Sequence, residues 1–489
     1  SVVAVALVAL WLLRRILFRM AKIAGRLARD PGAELRRARR DHRSWVALIL
    51  LGSALLRGWL CLVNPNANDD HLIVAEMIRR DDWQAPAPTA CMECSHPKLY
   101  HYVAALALEA NNGAAATVIG NLINWLAGTV LLGALWLMLR GLGRDLPAGA
   151  SAAARRAAVL VLAWVAFNPA LVGILSQATN DGFSILFSSL TILFLWHHFH
   201  SGRLSSVAFA TFFAILAAAS KASGWLIFAA GAALLLIQLG AARARKQAAL
   251  ALAIFVAGFL AVAPWIEPYR GNLSERGTPF VNDAFHEPAM FIETPRSPSW
   301  PIDTFLTFRL IELLQTPYDA LGPGPHPQHR ESLWSQLYGR SVSLRFDHGI
   351  WHNPDPRLHW LARTSLLAGL LPLAALLLGA AAQLRGLIEG VRRAGPGWLA
   401  QHHQWHALAY SGAMLAALIA LLIQYHRMAI LYLWMKVIYL LPALFGFAAL
   451  MVGGLAILSR RWPRLVALWM ATSVALAIID AIWLALDLT

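Results

Sequence analysis

Residues 46–63 read VALILLGSALLRGWLCLV, and the chain runs straight on into NPNANDDHLIVAEMIRRDDW over 64–83. The first stretch has a single charge, Arg57. As a helix its eighteen residues rise ~27 Å, close to the ~30 Å hydrocarbon layer of a bilayer. The second stretch opens on an Asn-Pro turn and sets two carboxylates side by side at Asp69 and Asp70. It then continues as HLIVAEMI, whose apolar spacing is that of an amphipathic helix outside the layer. A span that ends at once in an acidic loop decides the fold class, because the same alternation recurs along the chain.

Apolar runs lie at 46–63, 117–139, 158–175, 182–199, 204–219, 223–240, 248–266, 361–384, 407–423, 428–456 and 464–486. They predict an all-α polytopic membrane protein with about eleven transmembrane helices and two large outer loops, 64–116 and 267–360. The expected organisation is a basic segment at 1–44, a membrane module at 45–266, the second loop region at 267–360, and further membrane helices at 361–489. The runs at 158–175 and 204–219 are the shortest. Residues 1–13 would span only ~20 Å as a helix and read as part of a further span or as a helix in the interface. A chain that is 58% hydrophobic and 14% charged, with mean hydropathy +0.55, is no water-soluble enzyme, nucleic-acid binder or disulfide-built secreted scaffold.

The net charge of +15 is a matter of topology. Of the 41 basic residues, 25 fall on one side of the predicted spans, eleven of them between Arg14 and Arg43, which makes that side cytoplasmic. The two outer loops hold 11 basic against 18 acidic residues. Five cations remain in or beside spans: Arg57, Lys221, Arg363, Arg427 and Lys436. A cation there must snorkel, pair or bind an anion. Snorkelling suits Arg363 and Arg427, whereas Arg57 and Lys436 fall several residues inside their predicted helices. No internal repeat is visible, which counts against a transporter built from duplicated halves. The Ala-rich stretches 214–219 and 374–382 read as close helix packing.

Adjacent Asp69 and Asp70 can supply a general base with a hydrogen-bonding or metal-binding partner. Alternatively, Asp70 can cap the helix that follows. Asp81 and Asp82 read as a solvated turn. Cys91 and Cys94 form a C-x-x-C in an outer loop, read as a local disulfide ahead of His96 rather than half of a zinc site. His348 and His352 have helical metal-ligand spacing, but the Gly and Pro around them favour surface histidines or substrate contacts; His326 and His329 read the same way. His197, His198 and His200 fall at the cytoplasmic end. Trp265, Trp300, Trp334, Trp351 and Trp360 read mainly as belt or loop-packing aromatics.

The carboxylate pair just beyond the first span, the short helix, RDDW at 80–83 and then HPKLYHY at 96–102 together resemble the first outer loop of GT-C fold glycosyltransferases. The likeness is to the glycosyltransferase family 39 type, which includes protein O-mannosyltransferases and lipid A aminoarabinose transferases. It implies that the acidic position at Asp69 or Asp70 is the catalytic base, and that His96, Pro97, Leu99 and Tyr100 match the motif closing the loop. Lys98 stands where a second Pro is usual. Further along, Ser176 to Asp181, with Asn180 and Asp181, resembles the Asn-Asp element after the third helix. Ser220 to Gly224 resembles a short outer turn carrying a Lys. The loop after the seventh span, with Trp334, Tyr338 and Arg340, takes the place of the second outer region. The resemblance covers about 45–360.

The resemblance implies a membrane glycosyltransferase that moves a sugar from a polyprenyl-phosphate donor to a hydroxyl of a lipid, glycan or protein, with inversion. A lipid phosphate at headgroup level calls for cations near the outer ends of spans. Arg57, Lys98, Lys221, Arg427 and Lys436 are the candidates. His96, Tyr100, Asn180, Asp181, Trp334, Tyr338 and Arg340 are the candidate substrate contacts. No cofactor is required, although Asp69 and Asp70 could hold a divalent ion. The expected setting is a bacterial inner membrane, with the site facing the periplasm and no nucleic-acid partner. The competing expectation is a transporter or flippase of a lipid-linked or anionic solute.

Overall fold

The computed structural model describes residues 42–64, 70–88, 90–142, 148–241, 245–277, 301–318, 328–344, 358–395, 405–425 and 435–489. Asp69, Trp300, His326, His348, Trp351, His352 and Arg427 lie outside the described residues, as does the stretch 1–41. Among the described residues there are helices and 3-10 turns and no strand.

Helix α1 is His42–Val63; the first loop carries α2 (His71–Arg80) and α3 (Leu99–Ala110). The bundle continues with α4 (Ala116–Leu142), α5 (Ala148–Ala166), α6 (Pro169–Ile174), α7 (Asp181–Ser201), α8 (Leu204–Ser220), α9 (Ser223–Ala241) and α10 (Arg245–Leu260). The second loop region carries the short α11 (Tyr269–Arg276), α12 (Ile302–Leu306), α13 (Leu310–Gln315) and α14 (Leu333–Val342). It leads into α15 (His359–Ala368), α16 (Leu370–Ala394), α17 (His406–Tyr425), α18 (Leu444–Arg461) and α19 (Pro463–Asp487).

Among the described residues nine helices are long and apolar enough to cross a membrane, and α8, at 17 residues, is a shorter apolar helix. The sequence run at 158–175 is not one span but α5 followed by α6. Pro169 has no N–H to continue a helix, and the Asn168 side chain starts the next one by accepting from the Leu171 N–H at 3.3 Å. The run at 428–456 is corrected more sharply. Its helix begins only at Leu444, after 3-10 turns at Val437–Tyr439 and Leu441–Ala443, the second containing Pro442. Lys436 therefore precedes the helix instead of lying inside it.

The core is apolar, with α7 packed along α8 and α16 along α18. Ala214, Ala217, Ala218 and Ala375 are buried at these crossings, where small side chains let helix axes approach. The two ends of the bundle differ. Basic residues occupy the last turns of α4 (Arg140), α16 (Arg392, Arg393) and α18 (Arg460, Arg461), where they also complement the helix dipole. At the other end, here the loop end, the C-terminus of α1 meets the N-termini of α4, α7 and α9. Buried polar side chains concentrate there.

Candidate active site at the loop end

Two asparagines of α4 organise the loop end. Asn121 Nδ2 donates to Cys61 O at 3.2 Å and Asn64 O at 3.4 Å, which fixes the end of α1. One turn on, Asn124 Nδ2 donates to Gln177 O at 2.7 Å and Thr179 O at 2.6 Å, which fixes the segment entering α7. Backbone carbonyls outside helices need such partners when water is excluded. Gly182 makes room for this contact, because a Cβ there would lie 2.1 Å from Asn124 Oδ1.

From this anchored segment a chain of polar contacts runs from one helix to the next. Lys221 Nζ, at the turn between α8 and α9, donates to Asp181 Oδ1 at 2.5 Å. Thr179 Oγ1 donates to Asp181 Oδ2 at 3.0 Å. Because its only proton is used there, Thr179 Oγ1 can only accept from His71 Nε2, 3.3 Å away. His71 thus carries its proton on Nε2, and when neutral its Nδ1 accepts from His101 Nε2 at 3.0 Å. The direction of the whole chain follows from the carboxylate at one end. Lys221 also lies over the Tyr439 ring, 5.8 Å from its centroid.

The electrostatics agree with this direction. Burial holds His71 and His101 well below the usual imidazole range. His96 is pushed down to about 3 by burial, with Lys221 and Lys98 adding repulsion. Burial also brings the Lys98 ammonium down to about 8, against the attraction of Glu93 and Glu267. For Lys221 burial alone would act the same way, but Asp181 more than offsets it and the group stays charged.

The first loop closes over this chain. Cys91 and Cys94 are bridged, as expected from their spacing, and Glu93 lies between them. Its Oε2 is 3.5 Å from both His71 Nε2 and His96 Nδ1. His96 Nδ1 is also 3.4 Å from Asn180 Nδ2. Lys98, 3% exposed, donates to Cys94 O and, at 3.5 Å, to Glu93 O. Tyr100 donates to Gly120 O at 3.3 Å and sets its ring edge-on to His71, His101 and Phe183.

His96, Lys98, Tyr100, Asn180, Asp181 and Lys221 thus come together from three separate stretches of sequence. Asp70 stands immediately before the buried His71, half-buried. Its carbonyl accepts from the Val74 N–H at 3.1 Å, but its carboxylate makes no cap bond, so the capping alternative is not realised. Lys436 is half-exposed on the non-helical segment three residues before Tyr439.

Arg57 lies elsewhere. It is 1% exposed inside the bundle, about two turns or ~10 Å of rise below the end of α1. Its Nε donates to Ser53 O and Ser53 Oγ, both at 3.2 Å, and a Cβ on Gly128 would sit 2.1 Å from its Nη1. Trp334, Tyr338 and Arg340 belong to the packing of the second loop. Trp334 Nε1 donates to Phe305 O at 2.7 Å, Tyr338 donates to Leu366 O, and Arg340 Nε meets Gln336 Oε1 at 3.4 Å.

Sequence reasoning missed His71, Glu93, His101, Thr179 and Asn124. A signal existed for the two histidines: each interrupts the first turn of an otherwise apolar helix, as HLIVAEMI and LYHYVAAL show. The other three needed the tertiary contact. Among the described residues no three His, Cys, Asp or Glu side chains are arranged to hold a metal ion.

No family model and no curated protein matches the chain. Among solved structures the chain is similar to ArnT from Cupriavidus metallidurans bound to undecaprenyl phosphate. The two share 15% identity over 85% of this chain and 78% of that one, with a TM-score of 0.34.

Proposed function

We propose that this multi-pass membrane protein is a GT-C type glycosyltransferase that moves a sugar from a polyprenyl-phosphate donor to an acceptor hydroxyl at the loop end. One observation carries the reading. Three stretches singled out separately by their likeness to such enzymes converge on one buried polar cluster next to Asp70: the first outer loop through His71 and His96, the segment 176–181 through Thr179, Asn180 and Asp181, and the turn 220–224 through Lys221. A cluster of this kind is costly in an apolar bundle unless it serves a site.

In this reading Asp69 or Asp70 takes the acceptor proton as the hydroxyl attacks the anomeric carbon. The C–O bond to the lipid phosphate breaks with inversion, and Lys436 and Arg427 are the cations that would offset the charge of the leaving phosphate. Lys221 and Lys98 are already engaged by Asp181 and by loop carbonyls, so they set the local field and hold the loop. The acceptor is a lipid, glycan or protein hydroxyl. The setting is a bacterial inner membrane with the loop end in the periplasm, as the basic opposite end favours.

The test uses the full chain in lipid with a polyprenyl-phosphate sugar, measuring release of polyprenyl phosphate together with a glycosylated acceptor. Asp69→Asn/Asp70→Asn should lower the rate by about 10²- to 10⁴-fold, the range a general base contributes. Unchanged transfer in that variant sinks the assignment. Movement of labelled lipid across the bilayer with no transfer by the wild-type chain would favour a flippase.

A further inference from the structure

Glu93 has no part in the mechanism above, yet it is the carboxylate at the centre of the first loop's contacts. It is 5% exposed, and its Oε2 lies 3.5 Å from nitrogens of two histidines on different segments, His71 on α2 and His96 before α3. Its own backbone is fixed twice. The Cys91–Cys94 bridge closes the 3-10 turn Met92–Ser95 around it, and Lys98 Nζ binds the carbonyls of Glu93 and Cys94. The charged and titratable groups around it are His71 from α2, His96 and Lys98 from its own segment, His101 from α3, and Lys221 from the α8–α9 turn.

His71 Nε2 bears a proton because Thr179 Oγ1 can only accept, and the Glu93 carboxylate stands 3.5 Å from that nitrogen, where its negative charge favours the same tautomer. A carboxylate beside an imidazole fixes its tautomer and ring orientation, as outer partners of catalytic histidines do. His71 is also the first residue of α2 and directly follows Asp70, so whatever fixes the His71 ring fixes where Asp70 stands. The same carboxylate stands 3.5 Å from His96 Nδ1, where its charge favours a proton on that nitrogen.

We propose that Glu93 is a positioning residue, a clamp mounted on the Cys91–Cys94 turn that holds His71 and His96 in one tautomer and orientation and thereby anchors the start of α2, where Asp70 stands. The clamp stands on the geometry alone; its effect on sugar transfer rests on the reading given above.

The experiment compares wild type, Glu93→Gln and Glu93→Asp as full chains in lipid, with 15N-labelled histidine and, in parallel, the transfer assay. Nitrogen shifts separate an N–H from a bare ring nitrogen, and single His→Gln variants assign the signals. In Glu93→Gln the His71 and His96 signals should leave the single-tautomer pattern of the wild type. Glu93→Asp should restore that pattern in part. The transfer kcat of Glu93→Gln should fall about 10- to 100-fold, the size of a small misplacement of reacting groups, with the donor KM little changed. Unaltered histidine signals in Glu93→Gln overturn the proposal. So does a kcat within about twofold of wild type in a chain whose wild-type form is active. If the wild-type chain transfers no sugar, the functional reading fails while the histidine signals still decide the clamp. Should Glu93→Gln not fold, Glu93→Asp carries the same comparison, since its shorter carboxylate must shift both signals.

Discussion

The two outer loops contain the same kinds of residue and use them in opposite ways. In the first loop, polar side chains point into the ends of the membrane helices: His71 meets Thr179, His96 meets Asn180, and Tyr100 meets Gly120. In the second, the equivalent groups close on the loop's own backbone or its flank. Trp334 binds Phe305 O, His329 binds Thr316 O, Ser332 binds Thr307 O and Tyr338 binds Leu366 O. A loop with no sheet ladder must satisfy its carbonyls with side chains, and indole, imidazole and hydroxyl groups do so well. The presence of His, Trp and Tyr in a loop therefore says little about function. What separates the loops is where the partners lie: His71, His96 and Tyr100 of the first reach the segment entering α7 and the start of α4, whereas the side chains of the second stay on its own backbone and its flank.

The ion pair gives the largest test of that contrast. Lys221 and Asp181 have side chains 18% and 8% exposed, 2.5 Å apart. Lys221→Met leaves the Asp181 carboxylate buried without its counter-charge. The expected cost is about 3–5 kcal/mol, read as a fall in the unfolding midpoint of the chain in detergent or lipid. Adding Asp181→Asn should recover part of it, because the orphaned charge is then removed. If Lys221→Met alone is neutral, the two loops do not differ in kind.

The membrane architecture was legible in the sequence because a span needs only length and apolarity. The exceptions have local causes. Pro169 breaks one run, and Pro442 falls in the 3-10 turns that delay α18 and so place Lys436 outside the helix. Of the site, the short motifs around His96, Asn180 and Lys221 were readable as motifs, and the structure joins them. Arg57 was read as a cation near the loop end from its place in a span, but rotation about the α1 axis turns it into the bundle against Gly128, and no sequence pattern reports that angle. Glu93 and Thr179 were silent because their meaning lies in contacts across 22 and 108 residues with His71.

Acid sensitivity distinguishes the loops at smaller scale. His71, His96 and His101 of the first loop and His329 of the second are all depressed chiefly by burial, His96 to about 3 and His329 to about 4. Unfolded histidines titrate near 6.5, so below that pH the unfolded chain binds more protons than the folded one. Stability is therefore full above about pH 6.5 and falls as the pH drops towards the folded values, by at most about 1.4 kcal/mol per unit for each group. His71→Gln/His101→Gln should flatten the slope of the unfolding midpoint between about pH 6.5 and 4.5 about twice as much as His329→Gln. Equal flattening would mean that only one of the first-loop pair stays neutral in the fold.

The smallest effects come from the two residues that precede loop helices. Ser332 stands before α14, accepts from the Ser335 N–H and donates to Thr307 O. Asp70 stands before α2 with a carboxylate that makes no cap bond. An Asp is among the best caps, so a helix start with an uncommitted Asp has forgone a contribution of about 1 kcal/mol. Ser332→Ala should lower stability by about 1–2 kcal/mol, a lost cap plus a lost hydrogen bond, and leave transfer unchanged. Asp70→Ala should leave stability within about 0.5 kcal/mol, and Asp69→Ala/Asp70→Ala should sharply reduce transfer. The pair must dissociate in opposite directions. If Asp70→Ala instead costs as much stability as Ser332→Ala and Asp69→Ala/Asp70→Ala leaves transfer intact, the first loop is a scaffold like the second, and the base has to be sought elsewhere.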